Sequence, residues 1–137
     1  MLKITKDFDA MHTLSVTISM TLWILFFQTS DLYAQSFTAG EVVDRIQSEV
    51  TCEWTKETVD TFKSGDSGDE ITGIATTFLA TLEVLKQAKA QGLNMIITHE
   101  PTFYNHLDET EHLEGDKVFA AKQQFIEDNK MIVWRFH

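Results

Sequence analysis

The stretch that decides the predicted fold is LNMIITHEPTFYNH, residues 93–106. It begins as an apolar run and stops abruptly at His99, Glu100 and Pro101. A short apolar run that ends on turn signals is typical of a strand buried on both faces, as in a parallel sheet. In open α/β sheets, ligands bind just beyond the carboxyl ends of such strands. We therefore expect His99 and Glu100 to lie at a binding site.

Residues 71–99 have the pattern of a βαβ unit. Apolar segments at residues 71–80 and 93–99 predict two strands, and the segment between them has helical spacing. Thr81 can cap the start of this helix, and Gly92 can take the left-handed conformation beyond its end. A connection of this kind predicts parallel strands joined by a right-handed crossover.

A second helix and a third strand follow this unit. Asp116 can cap a helix that carries Val118 on its inner side, and Asn129 can close it. Residues 131–136 are apolar enough for another strand. The predicted fold class is therefore α/β, a βαβαβ unit. Because the sequence stops at His137, directly after the third strand, we expect the domain to be truncated.

Residues 1–34 are predicted to be a signal peptide, and residues 35–137 the domain. A start with two lysines precedes an uncharged apolar stretch at residues 14–27, and the small residue Ala34 stands at the expected cut. This layout is that of a secretory signal, and its apolar part is short for a membrane span. We expect export to the periplasm or the outside of the cell, with no stable membrane span after cleavage. An uncleaved membrane anchor is the alternative.

The predicted domain opens with a complete helix signal. Thr38 and Glu41 form a capping box, and apolar residues at helical spacing predict a helix over Ala39–Glu49. A strand is predicted near residues 58–63, and glycine, serine and aspartate make residues 64–69 a turn. This turn lacks the spacing of an EF-hand, so we do not expect a calcium loop.

The charge balance excludes one class of partner. The chain has 21 acidic and 11 basic residues, a formal net charge of -10. Nucleic-acid binding needs a clustered basic surface, so we expect no nucleic-acid partner and find metal cations better suited. The lone cysteine, Cys52, excludes an intrachain disulfide and a Cys-based zinc site. We expect Cys52 to be a small buried apolar group.

Possible metal ligands are crowded into residues 99–112. They are His99, Glu100, His106, Asp108, Glu109 and His112. Imidazole and carboxylate together suit zinc, manganese, iron or nickel. Histidines and acids in a polar loop are more often a solvated surface, so His106, Asp108 and His112 are weaker candidates than His99. Neither a nucleophile elbow nor a phosphate loop is present.

Two segments, TVDTFKSGD and TGIATTFLATLEVLKQAKAQGLNMIITHEPTFYNH, resemble the N-terminal half of the NIF-three-like family, also called GTP cyclohydrolase one type two homologues. The family motif is a strand, an Ala-Thr that opens a helix, a glycine, and an apolar strand that ends in Thr-His-His-Pro. In this sequence the matching residues are Ala80-Thr81, Gly92 and Thr98-His99-Glu100-Pro101. The resemblance covers about residues 58–137.

The resemblance implies a dinuclear metal centre between strand ends and a homo-oligomer, up to a toroidal hexamer. His99 matches the first histidine ligand of the family. Glu100 stands where the second histidine lies, which implies a changed ion preference. Leu79 replaces a frequent aspartate. The family's further ligands, an acid beyond the third strand and a distant His and Glu pair, have no match before His137.

These expectations combine into a metal-dependent hydrolase that acts on an unknown small molecule. His99 and Glu100 are its expected metal ligands, and Thr98 and Tyr104 are expected to orient water or substrate. No catalytic residue is assigned, and the guanine-nucleotide chemistry in the family's name is insecure for this chain. A non-catalytic metal-binding assembly module and an inactive truncated fragment are the alternatives.

Overall fold

The computed structural model describes residues 36–55 and 57–137. The predicted signal peptide, residues 1–34, lies outside the described residues. Within the described part, none of the helices combines the length and the apolar character that a membrane span requires.

Three α-helices and four strands make up the described chain, with one turn of 3-10 helix at Glu111–Leu113. In chain order they are α1 (Ala39–Glu49), β1 (Phe62–Ser64), β2 (Ile74–Thr77), α2 (Leu82–Ala90), β3 (Met95–Thr98), α3 (Lys117–Asp128) and β4 (Ile132–Arg135). The strands are shorter than the apolar segments that predicted them, because their ends turn into the connecting loops.

The helix ends are held by the residues that predicted them. The Glu41 carboxylate accepts the backbone N–H of Thr38 at 2.8 Å, and the Thr38 hydroxyl accepts the N–H of Glu41 at 3.3 Å, which completes the capping box. The Thr81 hydroxyl caps α2, and the Asp116 carboxylate accepts two N–H groups in the first turn of α3. Gly92 takes the predicted left-handed conformation, with φ at +75°.

The four strands form one sheet in the order β1-β4-β3-β2. The pairs β2–β3 and β3–β4 are parallel, which confirms the predicted βαβαβ unit. The first strand, β1, pairs antiparallel with β4 and has an irregularity between Phe62 and Ser64. The prediction of a strand near residues 58–63 is therefore correct in kind but too early and too long.

Helices cover both faces of the sheet. On one face, α2 and α3 pack over β3 and β4, and the buried residues there are Ala80, Leu85, Ala88, Ile96, Ile126, Met131 and Val133. On the other face lies α1, and its buried cluster is Ala39, Val43, Met95, Ile132 and Trp134. Side chains of β4 alternate between the two clusters, as the two-residue period of a strand requires.

Two burial predictions are wrong. Val118, expected on the inner side of α3, is 77% exposed, because it lies in the first turn of the helix, where the core does not cover it. Cys52, expected to be buried, is exposed in the irregular segment that follows α1. Spacing gives the side of a helix that faces the core, but it does not say how far the core extends beneath each turn.

Candidate metal site

The backbone at His99 is held between two neighbouring strands. Its N–H donates to the carbonyl of Thr77 at 3.2 Å, and the N–H of Phe136 donates to the carbonyl of Thr98 at 2.8 Å. The parallel pairing of β3 with β2 and β4 therefore continues one step past the end of each strand. This places His99 at the carboxyl edge of the sheet, where the sequence predicted a site.

Within the residues that the structure describes, the His99 ring has one nitrogen engaged and one available. Its Nδ1 lies 3.2 Å from the carbonyl oxygen of Phe136. A carbonyl oxygen can only accept, so Nδ1 carries the proton and Nε2 of the neutral ring keeps its lone pair. Hydrogen bonding of Nδ1 to a backbone carbonyl is the arrangement that orients metal-binding histidines in proteins.

Two aromatic rings fix the plane of the His99 imidazole. The His137 ring stacks on it with centroids 4.7 Å apart and planes 6° apart. The Phe78 ring lies on it with centroids 5.3 Å apart. His99 is half-buried and contacts both rings. Its orientation is therefore set by packing as well as by the hydrogen bond.

Glu100 follows in the turn beyond β3. Its N–H donates to the carbonyl of Phe78 at 2.8 Å, and its side chain is half-buried. In the described part of the chain, the Glu100 carboxylate makes no hydrogen bond and no ion pair within the usual distances. A half-buried carboxylate without such a partner has its oxygen atoms available for a cation.

Thr98 does not have the expected role. It is fully buried, and its hydroxyl lies 3.2 Å from the carbonyl oxygen of Glu100 and 3.4 Å from that of Phe78. The hydroxyl therefore stabilises the turn that carries Glu100, and it is not accessible to substrate. Tyr104, by contrast, is 58% exposed and remains able to contact a bound molecule.

Arg135, the last residue of β4, was not among the site residues predicted from the sequence. This side chain is fully buried, its Nε donates to the carbonyl of His99 at 3.2 Å, and its Nη1 donates to the carbonyl of His106. The guanidinium therefore joins the strand end to the loop that follows it. A charged residue inside the otherwise apolar segment MIVWRF was the signal that could have found it, because arginine is rarely fully buried without a specific partner.

Asp108 holds the loop and is not placed as a metal ligand. Its carboxylate accepts the backbone N–H groups of Thr102 at 2.8 Å, Phe103 at 2.6 Å and Tyr104 at 3.1 Å. Its backbone is in the left-handed region, with φ at 60°. The Nζ of Lys122 donates to the carbonyl of Thr102 from the α3 side, and burial lowers the pKa of this ammonium while Asp108 raises it.

The remaining candidate ligands lie elsewhere in the loop. Glu109 pairs with Asn105 through a 2.6 Å hydrogen bond, and His112 packs edge-on against the Tyr104 ring with centroids 4.3 Å apart. The His106 ring contacts His137, the residue that stacks on His99, with centroids 5.2 Å apart. Among the described residues, no group of three His, Cys, Asp or Glu side chains is arranged to hold a metal ion.

A cavity of about 730 Å³ opens at the opposite end of the sheet, beside Gly65, Asn94 and Lys130. The Asn94 amide in its wall is already engaged, since it accepts the N–H of Thr72 at 2.7 Å and donates to the carbonyl of Glu70 at 2.9 Å. Ligands of open α/β sheets bind at the carboxyl ends of the strands. The candidate site is therefore at His99 and Glu100 and not in this cavity.

Comparison with known families identifies the fold. The sequence model of the family described as Duf34/NIF3 (NGG1p interacting factor 3) matches residues 38–129. The chain belongs to this family. The expected resemblance to NIF-three-like proteins is thereby confirmed. A comparison of this NIF3-family chain with curated proteins found no match.

Solved structures share the fold of the NIF3-family chain. Reduced HcgD from Methanocaldococcus jannaschii is 17% identical, with a TM-score of 0.59 over 74% of this chain and 40% of that one. A Bacillus cereus protein related to NIF3 is 19% identical, with a TM-score of 0.59 over 74% and 28%. A hypothetical protein of Staphylococcus aureus is 23% identical, with a TM-score of 0.55 over 72% and 28%. The chain therefore spans well under half the length of these neighbours.

Proposed function

We propose that this NIF3-family chain binds a divalent metal ion through His99 and Glu100. The observation that carries the proposal is the hydrogen bond between His99 Nδ1 and the carbonyl of Phe136. It leaves the lone pair of Nε2 available at the carboxyl edge of the sheet, on a ring that two neighbours hold in place. Neutral imidazole with a fixed tautomer is the commonest form of a histidine ligand.

The two donors suit zinc, manganese, iron or nickel, and the glutamate changes the balance among them. A carboxylate oxygen is a harder ligand than an imidazole nitrogen and favours manganese or iron more than a second histidine does. Because no group of three ligand side chains in the described chain is arranged around one ion, water or groups outside the described residues would complete the coordination. His99 and Glu100 would therefore form half of a metal site, and the remaining ligands of a dinuclear centre would come from outside the described residues.

The activity that we propose for the completed site is metal-dependent hydrolysis of a small molecule, in a homo-oligomer of up to six subunits. A bound divalent metal polarises a substrate oxygen and lowers the pKa of a bound water. His99 and Glu100 would hold the ion. Arg135 joins the backbone of His99 to the loop at His106, and exposed Tyr104 would contact the substrate. The substrate is not assigned.

A non-catalytic metal-binding assembly module is the second candidate. The observation that favours it is the exposure of Phe78 and Leu79, which are 68% and 45% exposed beside His99. Large apolar side chains that are exposed side by side often mark a surface that another chain covers. In that case the ion would stabilise an assembly, and an inactive fragment would show neither the ion nor the assembly.

The metal proposal is tested by titrating the purified chain with Co²⁺, Mn²⁺ and Zn²⁺ and measuring metal content after dialysis. His99→Ala is expected to weaken binding by at least about a hundredfold, since loss of a ligand's hydrogen-bonding partner alone costs about 10- to 100-fold. His112→Ala is the matched control, because His112 is an exposed histidine of the same loop. Equal affinity in the two variants would contradict the proposal.

The role of Glu100 is tested by exchange of its donor atoms. Glu100→His is expected to raise the affinity for zinc relative to manganese, and Glu100→Gln to weaken both, because nitrogen donors suit zinc and the charge is lost. If the ratio of the two affinities stays unchanged in Glu100→His, Glu100 is not a ligand.

The two candidate functions are separated by an activity screen of the metal-loaded chain. Nucleotides and phosphoesters are incubated with the Mn²⁺ or Zn²⁺ form, and the molar mass in solution is measured in parallel. Turnover that is lost in His99→Ala supports the hydrolase. A flat activity profile together with a metal-dependent increase in molar mass supports the assembly module.

A further inference from the structure

Arg135 determines the tautomer of a second imidazole. Its Nη2 lies 3.3 Å from Nδ1 of His106, while its Nη1 donates to the carbonyl of the same residue. A guanidinium has only donors, so Nδ1 of His106 must accept. The proton of the neutral His106 ring is therefore on Nε2. This is the opposite of His99, whose Nδ1 carries the proton.

The Nε2 atoms of the two histidines consequently differ in protonation. His99 offers a lone pair at Nε2, and His106 offers an N–H donor at Nε2. The His137 ring touches both, with centroids 4.7 Å from His99 and 5.2 Å from His106. His106 was a candidate metal ligand in the sequence, but its Nδ1 is occupied by Arg135 and its Nε2 carries the proton.

Arg135 places a buried positive charge at this corner. Arg135 is fully buried, and its acceptors are two carbonyls and one imidazole, all of them neutral. In the part of the chain that the structure describes, no carboxylate lies within ion-pair distance of the guanidinium. A buried cation without a counter-charge leaves a positive potential around it. An anion bound nearby would be stabilised by that potential.

A second cation faces the same corner. Lys63 is half-buried in the irregular part of β1, beside Arg135 on β4. Burial is the main cause that lowers the pKa of Lys63, the Asp108 and Asp60 charges raise it, and the Arg135 charge lowers it. The carboxylates around these cations keep their charge: Asp108 accepts three backbone N–H groups, and Asp60 accepts the Thr58 hydroxyl and the N–H of His137. Glu100, next to His99, has no such partner in the described chain, and the proposed metal ion would supply its counter-charge.

We infer that His106 is a binding residue for an oxyanion, a phosphate or a carboxylate group, which accepts a hydrogen bond from Nε2–H beside His99. Arg135 is the positioning residue, because it fixes the tautomer and supplies the positive potential. The inference extends the proposed function by naming the class of substrate as an acidic small molecule. The donor and the potential belong to the chain itself, so they are present without a metal ion.

The tautomer is measured first, on the metal-free full chain. Imidazole nitrogen NMR distinguishes a protonated from an unprotonated ring nitrogen, and it is expected to show a proton on Nε2 of His106 and on Nδ1 of His99. Arg135→Lys keeps the charge but removes the planar fork, and it is expected to mix the two tautomers of His106. A proton on Nδ1 of His106 in the unmodified chain overturns the inference.

Oxyanion binding is then measured by titration with inorganic phosphate and, separately, with acetate. His106→Ala is expected to weaken binding about tenfold, the effect of one hydrogen bond to a charged group. His106→Gln is expected to stay within about threefold of the unmodified chain, because its amide N–H reaches a similar position. His106 is exposed, so both variants are expected to fold, and circular dichroism checks this.

Tighter binding of phosphate or of acetate identifies the group that the site prefers. Binding of neither, or equal binding by His106→Ala, overturns the inference. These titrations use metal-free protein, so they do not depend on the metal proposal. That proposal fails only if the Co²⁺, Mn²⁺ and Zn²⁺ titrations show no binding, or no effect of His99→Ala on binding. The two failures are therefore distinguishable.

Discussion

Replacement of Asp108 tests whether one carboxylate holds the loop beside the site. Asp108 accepts three backbone N–H groups, of which those of Thr102 and Phe103 are part-buried and that of Tyr104 is exposed. An exposed N–H regains water when its acceptor is removed, whereas a buried donor left without a partner costs about 1–3 kcal/mol. Asp108→Gly is therefore expected to lower the free energy of unfolding by about 3 kcal/mol.

Two further variants divide this effect into its causes. Asp108→Ala is expected to lower the free energy of unfolding by about 1 kcal/mol more than Asp108→Gly does. The left-handed conformation at φ 60° costs an L-residue about 1–2 kcal/mol. Part of this difference is offset, because glycine has more conformational freedom to lose on folding. Asp108→Asn keeps one oxygen, placed to accept from Phe103 and Tyr104, and tolerates the left-handed conformation. It is expected to lose only about 1 kcal/mol.

The assay is urea unfolding combined with hydrogen exchange of the amides of residues 102–104. Exchange is informative because the loop can open without unfolding the sheet, and such local opening limits the effect on global stability. The free energy of unfolding is expected to fall least in Asp108→Asn, more in Asp108→Gly and most in Asp108→Ala. The Phe103 amide is expected to exchange faster in the Ala variant than in the other two. Equal losses in the three variants, or an unchanged Phe103 exchange rate, would show that the Asp108 carboxylate does not hold the loop.

Two other predictions concern stability. Burial lowers the pKa of Lys122 below its ordinary value of 10.5. The unfolded chain therefore holds this proton to higher pH than the folded chain does, and the free energy of unfolding rises with pH between the lowered pKa and 10.5. Lys122→Met is expected to reduce that rise in urea unfolding measured up to about pH 10. If the free energy of unfolding depends on pH equally in both proteins, the buried ammonium is contradicted. Thr38→Ala is expected to cost about 1 kcal/mol by removing the cap of α1, with Ser48→Ala as an exposed control in the same helix; a loss no larger than the control's would show that the cap is not stabilising.

Local signals made much of the fold predictable. The capping box of Thr38 and Glu41, the caps at Thr81 and Asp116, and the left-handed Gly92 each depend on a few neighbouring residues, and all are present. The parallel strands followed from the helices between them, since such connections join parallel strands. The position of His99 followed from the end of the apolar run.

Features that depend on distant contacts were not predictable. The pairing of β1 with β4 joins segments far apart in sequence, and its irregular register has no local signal. The sequence also gave no means to distinguish the acids of the loop, although Asp108 is held by backbone amides and Glu109 by Asn105. Arg135 was overlooked because its acceptors are backbone carbonyls, which every sequence provides equally.

Imidazole nitrogen NMR during titration with Zn²⁺ shows whether Nε2 of His99 binds a metal ion. We expect Nδ1 of His99 to stay protonated while the Nε2 signal moves to a metal-bound position, and the exposed His112 in the same sample not to change. A proton on Nε2 of His99 before metal is added, or a His99 signal that Zn²⁺ leaves unchanged, would contradict metal binding by this atom.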